Sequence, residues 1–431
     1  MTLPSTPKLR RRWTSIPAVR NVLLFFSVFG PATITAMADN DAGGVATYSV
    51  AGATLGYPIL FILFIITILL GVTQEMGMRL TLVTRRGLAD LIREKFGVKV
   101  AMLIFAALCV ANIGTLVTNL AAVKTTSGML NLQVIPVIIV IVVFAFFMVT
   151  KGNYKVTQVI MLITSMFYLT YIISAVKANP DWKLALSNIV YPHDPNTTFD
   201  AAYMRNYLLI GMGVLGTTIT PWGQFFISSF AYDKKMEAGK IFYSQLETYI
   251  GAFLTDFFSF FMIVATAATL YANHIPLTSG ETAALAIKPF AGELASTFFA
   301  LGILNAGFMG LIVVSLSTAY AFAEFFGLQG SLDSNYKQSK SFYTLFIVQL
   351  LMATALVFIP GISFFKLALF SQTINAVALP LVFYYLIKLT NDKKLMGEYA
   401  NTSFQKWFAI CGSVAIVFAS VLTLVATFLK V

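Results

Sequence analysis

The sequence predicts an all-α integral membrane protein with eleven transmembrane helices, and three observations lead there. Of the 431 residues, 58% are hydrophobic and only 11% charged, with a mean hydropathy of +0.81, whereas soluble domains carry roughly a quarter charged residues. The apolar residues form continuous runs close to the ~20 residues that a spanning helix needs, not the alternation of a membrane barrel. The basic residues gather between the runs, densely in every second connection. One water-soluble core of this size cannot hide so many apolar side chains, which excludes soluble enzymes and DNA-binding domains. The runs recur along the whole chain, which excludes a single anchored ectodomain.

In order, the runs lie at 22–53, 57–78, 100–130, 133–150, 156–176, 206–231, 247–272, 291–326, 342–359, 362–387 and 407–429. With a cytoplasmic N-terminus, the inside segments hold 22 Lys and Arg and the outside segments 5, as the positive-inside rule requires. The net charge of +11 is therefore read as orientation, with the lipid bilayer as partner and no nucleic acid. Residues 1–20, with Arg10, Arg11 and Arg12, read as a cytoplasmic tail without a removable signal peptide. Residues 21–431 read as one transmembrane domain whose C-terminus is extracytoplasmic, and the compact tails point to a bacterial inner membrane. The longest connection, 177–205, carries Pro180, Pro192 and Pro195 and reads as irregular structure.

Cys109 and Cys411 lie in apolar runs with no thiol spacing pattern, and His193 and His274 are the only histidines. Neither a disulfide framework nor a His/Cys metal cage is expected. No nucleophile–base constellation and no cofactor box is present, so neither an enzyme nor a cofactor is expected, and no obligate protein partner is evident.

Two runs are interrupted by polar, glycine-bearing or proline-bearing stretches. The first contains Asp39-Asn40-Asp41-Ala42-Gly43-Gly44, the sixth Gly216-Thr217-Thr218-Ile219-Thr220-Pro221. Unwound backbone survives in hydrocarbon only beside protein or a wet cavity, and breaks at corresponding positions of two halves point to a transporter binding site. Breaks five spans apart fit two inverted five-helix repeats, about 21–178 and 206–390, plus an extra helix at 407–429. The first break also holds two carboxylates, each costing about 2.5–3.5 kcal/mol at mid-bilayer; a bound cation is the simplest compensation.

At these breaks the chain resembles the NRAMP family of divalent-metal transporters. The likeness begins at Gly30-Pro31 and Asp41-Ala42-Gly43-Gly44-Val45-Ala46-Thr47. It continues through Gln74-Glu75, Arg79 and Val83-Thr84-Arg85-Arg86-Gly87-Leu88-Ala89-Asp90-Leu91. Gly213-Val214-Leu215-Gly216 then leads to Pro221, in the place of the family's Met-Pro-His motif. Phe322-Ala323-Glu324-Phe325-Phe326-Gly327 and Ser371-Gln372 follow in the eighth and tenth spans. The resemblance implies a leucine-transporter-like fold with helices 1 and 6 broken, and import of a divalent metal ion by alternating access. Carried over by position, the family's metal ligands fall on Asp41, Gly44, Thr217, Thr220 and Gln372.

Two of those ligands differ: the family's Asn is Gly44 and its Met is Thr220. A thioether favours transition metals, whereas carboxylates, carbonyls and water suit hard ions. Gly44 and Gly223 carry no side-chain bulk, which predicts a roomier cavity. An oxygen-lined site of Asp41, Thr220, Gln224 and Gln372 suits a partly hydrated Mg2+, which keeps several waters and takes one or two carboxylates. Asp39 and Asn40 flank the break and join the candidates, Asp39 as a source of field, a site on the way in, or a structural partner. Gln224, one turn beyond Thr220, is either a ligand or a helix–helix hydrogen-bonding group. The family's proton-carrying acids in the third helix fall on Asn119 and Ala122 and its histidine on Trp222, none of which titrates. This pattern resembles the prokaryotic NRAMP-related magnesium transporters, which implies uptake of Mg2+, and of Mn2+ with it, without proton coupling. A proton-coupled Mn2+/Fe2+ importer and a symporter of a small organic substrate remain alternatives. Asp256 is an intramembrane acid with either a functional role or a pairing with Lys124 or Lys366. Glu75, Glu247, Glu293 and Glu324 read as structural.

Overall fold

Continuous apolar sequence in hydrocarbon satisfies its backbone by forming helix, and the computed structural model contains no strand among its described residues. These are residues 21, 25, 27–195, 197–236, 238–277, 280–361 and 363–428, with the side chains of 238, 280–296 and 423–428 excluded. The expected tail at 1–20 and the side chains of Lys288 and Glu293 lie outside them.

The first apolar run is two helices, α1 (Pro31–Asp39) and α2 (Ala42–Leu55). The second to fifth runs are α3 (Leu60–Thr84), α5 (Val98–Met129), α6 (Val134–Lys151) and the pair α7 (Tyr154–Ser165) and α8 (Leu169–Lys177), with the short α4 (Leu88–Phe96) after α3. A six-residue helix, α9 (Trp182–Ser187), interrupts the connection expected to be irregular; Asp181 caps it by accepting from the Leu184 amide. The sixth run is again split, into α10 (Ala201–Thr218) and α11 (Pro221–Asp233). There follow α12 (Ile241–Thr266), α13 (Gly280–Phe326), α14 (Lys340–Val357), α15 (Phe364–Thr390), the short α16 (Lys393–Met396) and α17 (Ser403–Phe428).

Nine helices among the described residues are long and apolar enough to cross a membrane. The two broken runs are not among the nine, because α1, α2 and α11 are short and α10, at 18 residues, is not apolar enough; the expectation of eleven counts each broken run as one span. Helices five spans apart meet in pairs: α3 packs along α12, and α5 along α13, as two halves inverted about an axis in the membrane plane would arrange them. The breaks lie inside this core. Outside it, α6, α7–α8 and α17 expose large apolar side chains such as Val140, Phe147, Val414 and Phe418, the surface that a bilayer would cover.

Candidate metal site

The first break has local causes. Asn40 leaves helical geometry, and Asp41, in extended conformation, caps α2 by accepting from the Gly44 amide at 2.8 Å. The second break follows from Pro221, which disfavours helical backbone at the preceding residue and suits the first position of a new helix. Ile219 and Thr220 are extended, and Thr220 Oγ1 caps α11 by accepting from the Gly223 amide at 3.0 Å.

The two breaks touch each other. Thr220 Oγ1 donates to Asp39 Oδ1 at 3.0 Å, and Thr217 Oγ1 lies 3.5 Å from the Asp39 carbonyl oxygen. The other Asp39 oxygen accepts from Gln74 Nε2 of α3 at 3.1 Å. Asp41 faces α5, where Asn119 Nδ2 donates to Asp41 Oδ2 at 2.9 Å while Asn119 Oδ1 accepts from the Ala42 amide at 3.0 Å. Gln372 completes this side: a Cβ at Gly43 would stand 2.5 Å from Gln372 Nε2 and 3.1 Å from Asp41 Oδ1, so both groups face one small volume. Asp41 and Gln372 thus meet at Gly43, Thr217 and the Asp39 carbonyl at Gly44, and Thr220 and the Asp39 carboxylate at Gly223; all five side chains are buried.

Asn40 turns the other way, toward α12. Its amide donates to the Thr255 carbonyl and accepts from Ser259 Oγ, both at 2.8 Å, while its own carbonyl accepts from the Tyr168 hydroxyl. Gln224 lies one turn beyond Thr220, fully buried, and neither end of its amide has a hydrogen-bond partner. The helix–helix hydrogen bond expected as the alternative for Gln224 is thus not made. Among the described residues, no three of His, Cys, Asp and Glu gather as a metal cluster.

The expected room is absent from this conformation. A Cβ at Gly44 would lie 2.7 Å from the Asp39 carbonyl oxygen and 2.8 Å from Thr217 Oγ1, and one at Gly223 would lie 2.7 Å from Thr220 Oγ1. The missing side chains let the two breaks close on each other rather than enlarge a cavity. Pairing of Asp256 with a lysine is likewise not found: Lys124 sits over the Phe358 ring and Lys366 is exposed, and neither makes an ion pair.

Groups that sequence reading left outside the candidate site hold it together. Asn119 and Gln74 donate to the two acids. Ser259 and the Thr255 carbonyl hold Asn40. Glu247 receives the start of α1: its Oε1 accepts from the Gly30 and Thr33 amides at 2.6 and 3.1 Å, a favourable place for a carboxylate beside a helix N-terminus. Lys234, just past α11, donates to the Val28 and Phe29 carbonyls at 2.6 and 2.7 Å. Burial pushes its ammonium down to about 8, with Glu247 pulling the other way. Toward the same end of the molecule, Ser228 meets Thr81 and accepts from the Leu88 amide. A cavity of about 610 Å³ begins there, lined by Thr81, Glu324, Asp233 and Arg85 among others.

The architecture defines a class: membrane carriers in which two inverted repeats bring broken helices face to face. Solved structures share it. A manganese transporter from Eremococcus coleocola superposes with a TM-score of 0.77 at 16% identity, over 99% of this chain and 90% of that one. MhsT in complex with L-phenylalanine superposes with a TM-score of 0.62 at 12% identity, over 91% and 98%. Residues 32–426 match the family described as natural resistance-associated macrophage protein-like, and the chain belongs to this NRAMP family. Among relatives named divalent metal cation transporter MntH, that of Verminephrobacter eiseniae is 23% identical over 99% of this chain and 96% of its own length. That of Listeria welshimeri is 25% identical over 98% and 95%.

Proposed function

We propose that this protein carries divalent metal ions across a membrane by alternating access, with Asp41, Asp39, Thr217, Thr220, Gln224 and Gln372 as the groups that meet the ion. The reading rests chiefly on the hydrogen bond between Asp39 and Thr220, which joins the two breaks within the membrane core. Around them stand carboxylate, hydroxyl and amide groups with no thioether, a donor set suited to hard ions. Mg2+, keeping part of its water, is the proposed substrate, with Mn2+ admitted beside it. Asn119 and Trp222 cannot titrate, so the proposed driving force is the membrane potential, about 2.3 kcal/mol per charge per 100 mV and twice that for a dication. The proposed setting is a bacterial inner membrane with the N-terminus cytoplasmic. The relatives' names, a divalent metal cation transporter and a manganese transporter, support Mn2+ as substrate, which keeps a second reading, the proton-coupled Mn2+/Fe2+ importer.

Reconstituted protein held at fixed potential, assayed for Mg2+ and Mn2+ flux with and without a pH gradient, separates the two. Titration calorimetry with Mg2+, Mn2+ and Ca2+, repeated on Asp41→Ala, tests the site itself. Equal binding by wild type and variant refutes it.

A further inference from the structure

Asp256, within α12, is an intramembrane acid that the site just described does not use. It is 5% exposed, and neither carboxylate oxygen has a hydrogen-bond partner. An ionised carboxylate buried without a partner is costly unless a cation or a proton meets it, and no lysine or arginine among the described residues pairs with it.

Its polar neighbours are the hydroxyls of Thr67 and Ser259, and each has a single proton, for which other acceptors compete. The Thr67 proton goes to the Leu63 carbonyl at 2.8 Å, and the Ser259 proton to Asn40 Oδ1 at 2.8 Å or the Thr255 carbonyl at 3.1 Å. Tyr48, whose hydroxyl feels the Asp256 charge, is 2.7 Å from Thr218 Oγ1. Thr218 already donates to the Val214 carbonyl at 2.8 Å, so the Tyr48 proton points to Thr218. Gln74 has its Nε2 on Asp39, which leaves its Oε1 unpartnered and fully buried beside that acid. Thr67, Ser259 and Tyr48 thus set oxygen atoms and no fixed positive charge around Asp256, an enclosure that fits a hard cation.

Its level in the membrane follows from the helices. On α12, Asp256 lies between Thr255 and Ser259, which hold Asn40 at the break, and before Ile263 and Thr266, which pack on Gly52. On α3, Gln74 reaches Asp39, while Thr67 is seven residues, about 10 Å, toward the end of the molecule where α2 finishes. Tyr48 is likewise seven residues beyond Asp41. Asp256 therefore stands beside the break, with Thr67 and Tyr48 on its Leu55 side, the outer side in the proposed orientation.

We propose that Asp256, Thr67, Ser259 and Tyr48 form a second cation station, through which the divalent ion passes between the outer face and the Asp39–Asp41 site. This rests on the transport reading above, and the tests of the two are separable. Mn2+ flux is measured in whole cells for the inward direction and in inside-out membrane vesicles for the outward direction. Asp256→Asn is expected to raise half-saturating Mn2+ about tenfold, or roughly 1.4 kcal/mol, for inward flux only, with outward half-saturation within about twofold of wild type. Asp256→Glu is expected to restore inward affinity. Thr67→Val, which keeps shape and removes a lone-pair oxygen, should shift the inward value in the same sense and keeps the test valid should Asp256→Asn not fold. An unchanged inward value, or equal weakening from both faces, overturns the station. Wild-type flux in Asp41→Ala would instead overturn the transport site while leaving the sidedness test of Asp256 standing.

Discussion

Replacing Gly44 with alanine tests whether direct contact between the two breaks matters for transport. The substitution removes no ligand and alters no charge. Its Cβ would lie 2.7 Å from the Asp39 carbonyl oxygen and 2.8 Å from Thr217 Oγ1. One obstacle is backbone, so relief requires the breaks to part by several tenths of an ångström. Overpacking of this kind costs about 1–3 kcal/mol, which disfavours the conformation with the breaks in contact by about 5- to 150-fold. If each turn of the proposed alternating-access cycle passes through this contact, the maximal rate of Mn2+ uptake should fall within that range, while the half-saturating concentration stays within about threefold. Gly211→Ala is the control on α10. Its Cβ would meet only Ile62 Cδ1, at an ordinary 3.4 Å, and alanine is the better helix former, so uptake should match wild type. A folded Gly44→Ala protein that transports at the wild-type rate refutes the argument.

Gln224→Leu removes an amide whose two ends are buried without partners; relieving such groups is worth about 1–3 kcal/mol, so the thermal midpoint in metal-free detergent should rise while Mg2+ and Mn2+ uptake falls. A variant that is more stable and equally active would show that the amide meets no ion. Glu75 and Arg79 form a buried ion pair at 2.7 Å, extended by Gln245 and Gln405 onto Glu75 and by Arg79 onto Asn401. Glu75→Gln should cost about 3–5 kcal/mol by leaving Arg79 unpaired, and Glu75→Gln with Arg79→Met should recover much of it; chemical denaturation of both reads the difference. Lys234, lowered from 10.5 to about 8, loses its proton in the folded protein first. Between pH 8 and 10.5 the unfolded chain thus holds a proton that the folded one lacks, and stability rises with pH. Below pH 8 both forms are charged and this contribution vanishes, so wild type should gain thermal stability relative to Lys234→Met between pH 7.5 and 9.5.

The spans and both breaks were legible because each has a local cause: long apolar runs for the spans, the Asp39–Gly44 stretch and Pro221 for the breaks. Convergence of the breaks was legible from their spacing of five spans, and Gln372 came through the family resemblance. What lies across from a break was not legible. Asn119 and Gln74 sit on other helices, and no spacing rule says that a neutral amide will donate to an acid 78 or 35 positions away. Asn40 looked like a third ligand because it stands between two acids, yet a residue at the end of a helix can point anywhere, and α12 claims it. The glycines misled for a related reason. A missing side chain is equally consistent with a hole and with close approach, and only the opposing chain distinguishes them.

The donors on the two acids bear on how a carrier of this build can release its cargo. Asp39 accepts from Thr220 and Gln74; Asp41 accepts from Asn119 and the Gly44 amide. All four donors are neutral, and each bond to a charged acceptor is worth about 1.5–3 kcal/mol. An ion reaching these carboxylates must compete for the same lone pairs, and once it leaves, the amides and hydroxyls can take them back. The carboxylates therefore need not remain bare inside hydrocarbon after unloading. In the family pattern that the sequence resembles, titrating groups stand near this position and a proton can fill that role. On the proposed reading, Asn119 would fill it here with an amide, which would require no proton from either side and would tie reset of the site to closure of the breaks.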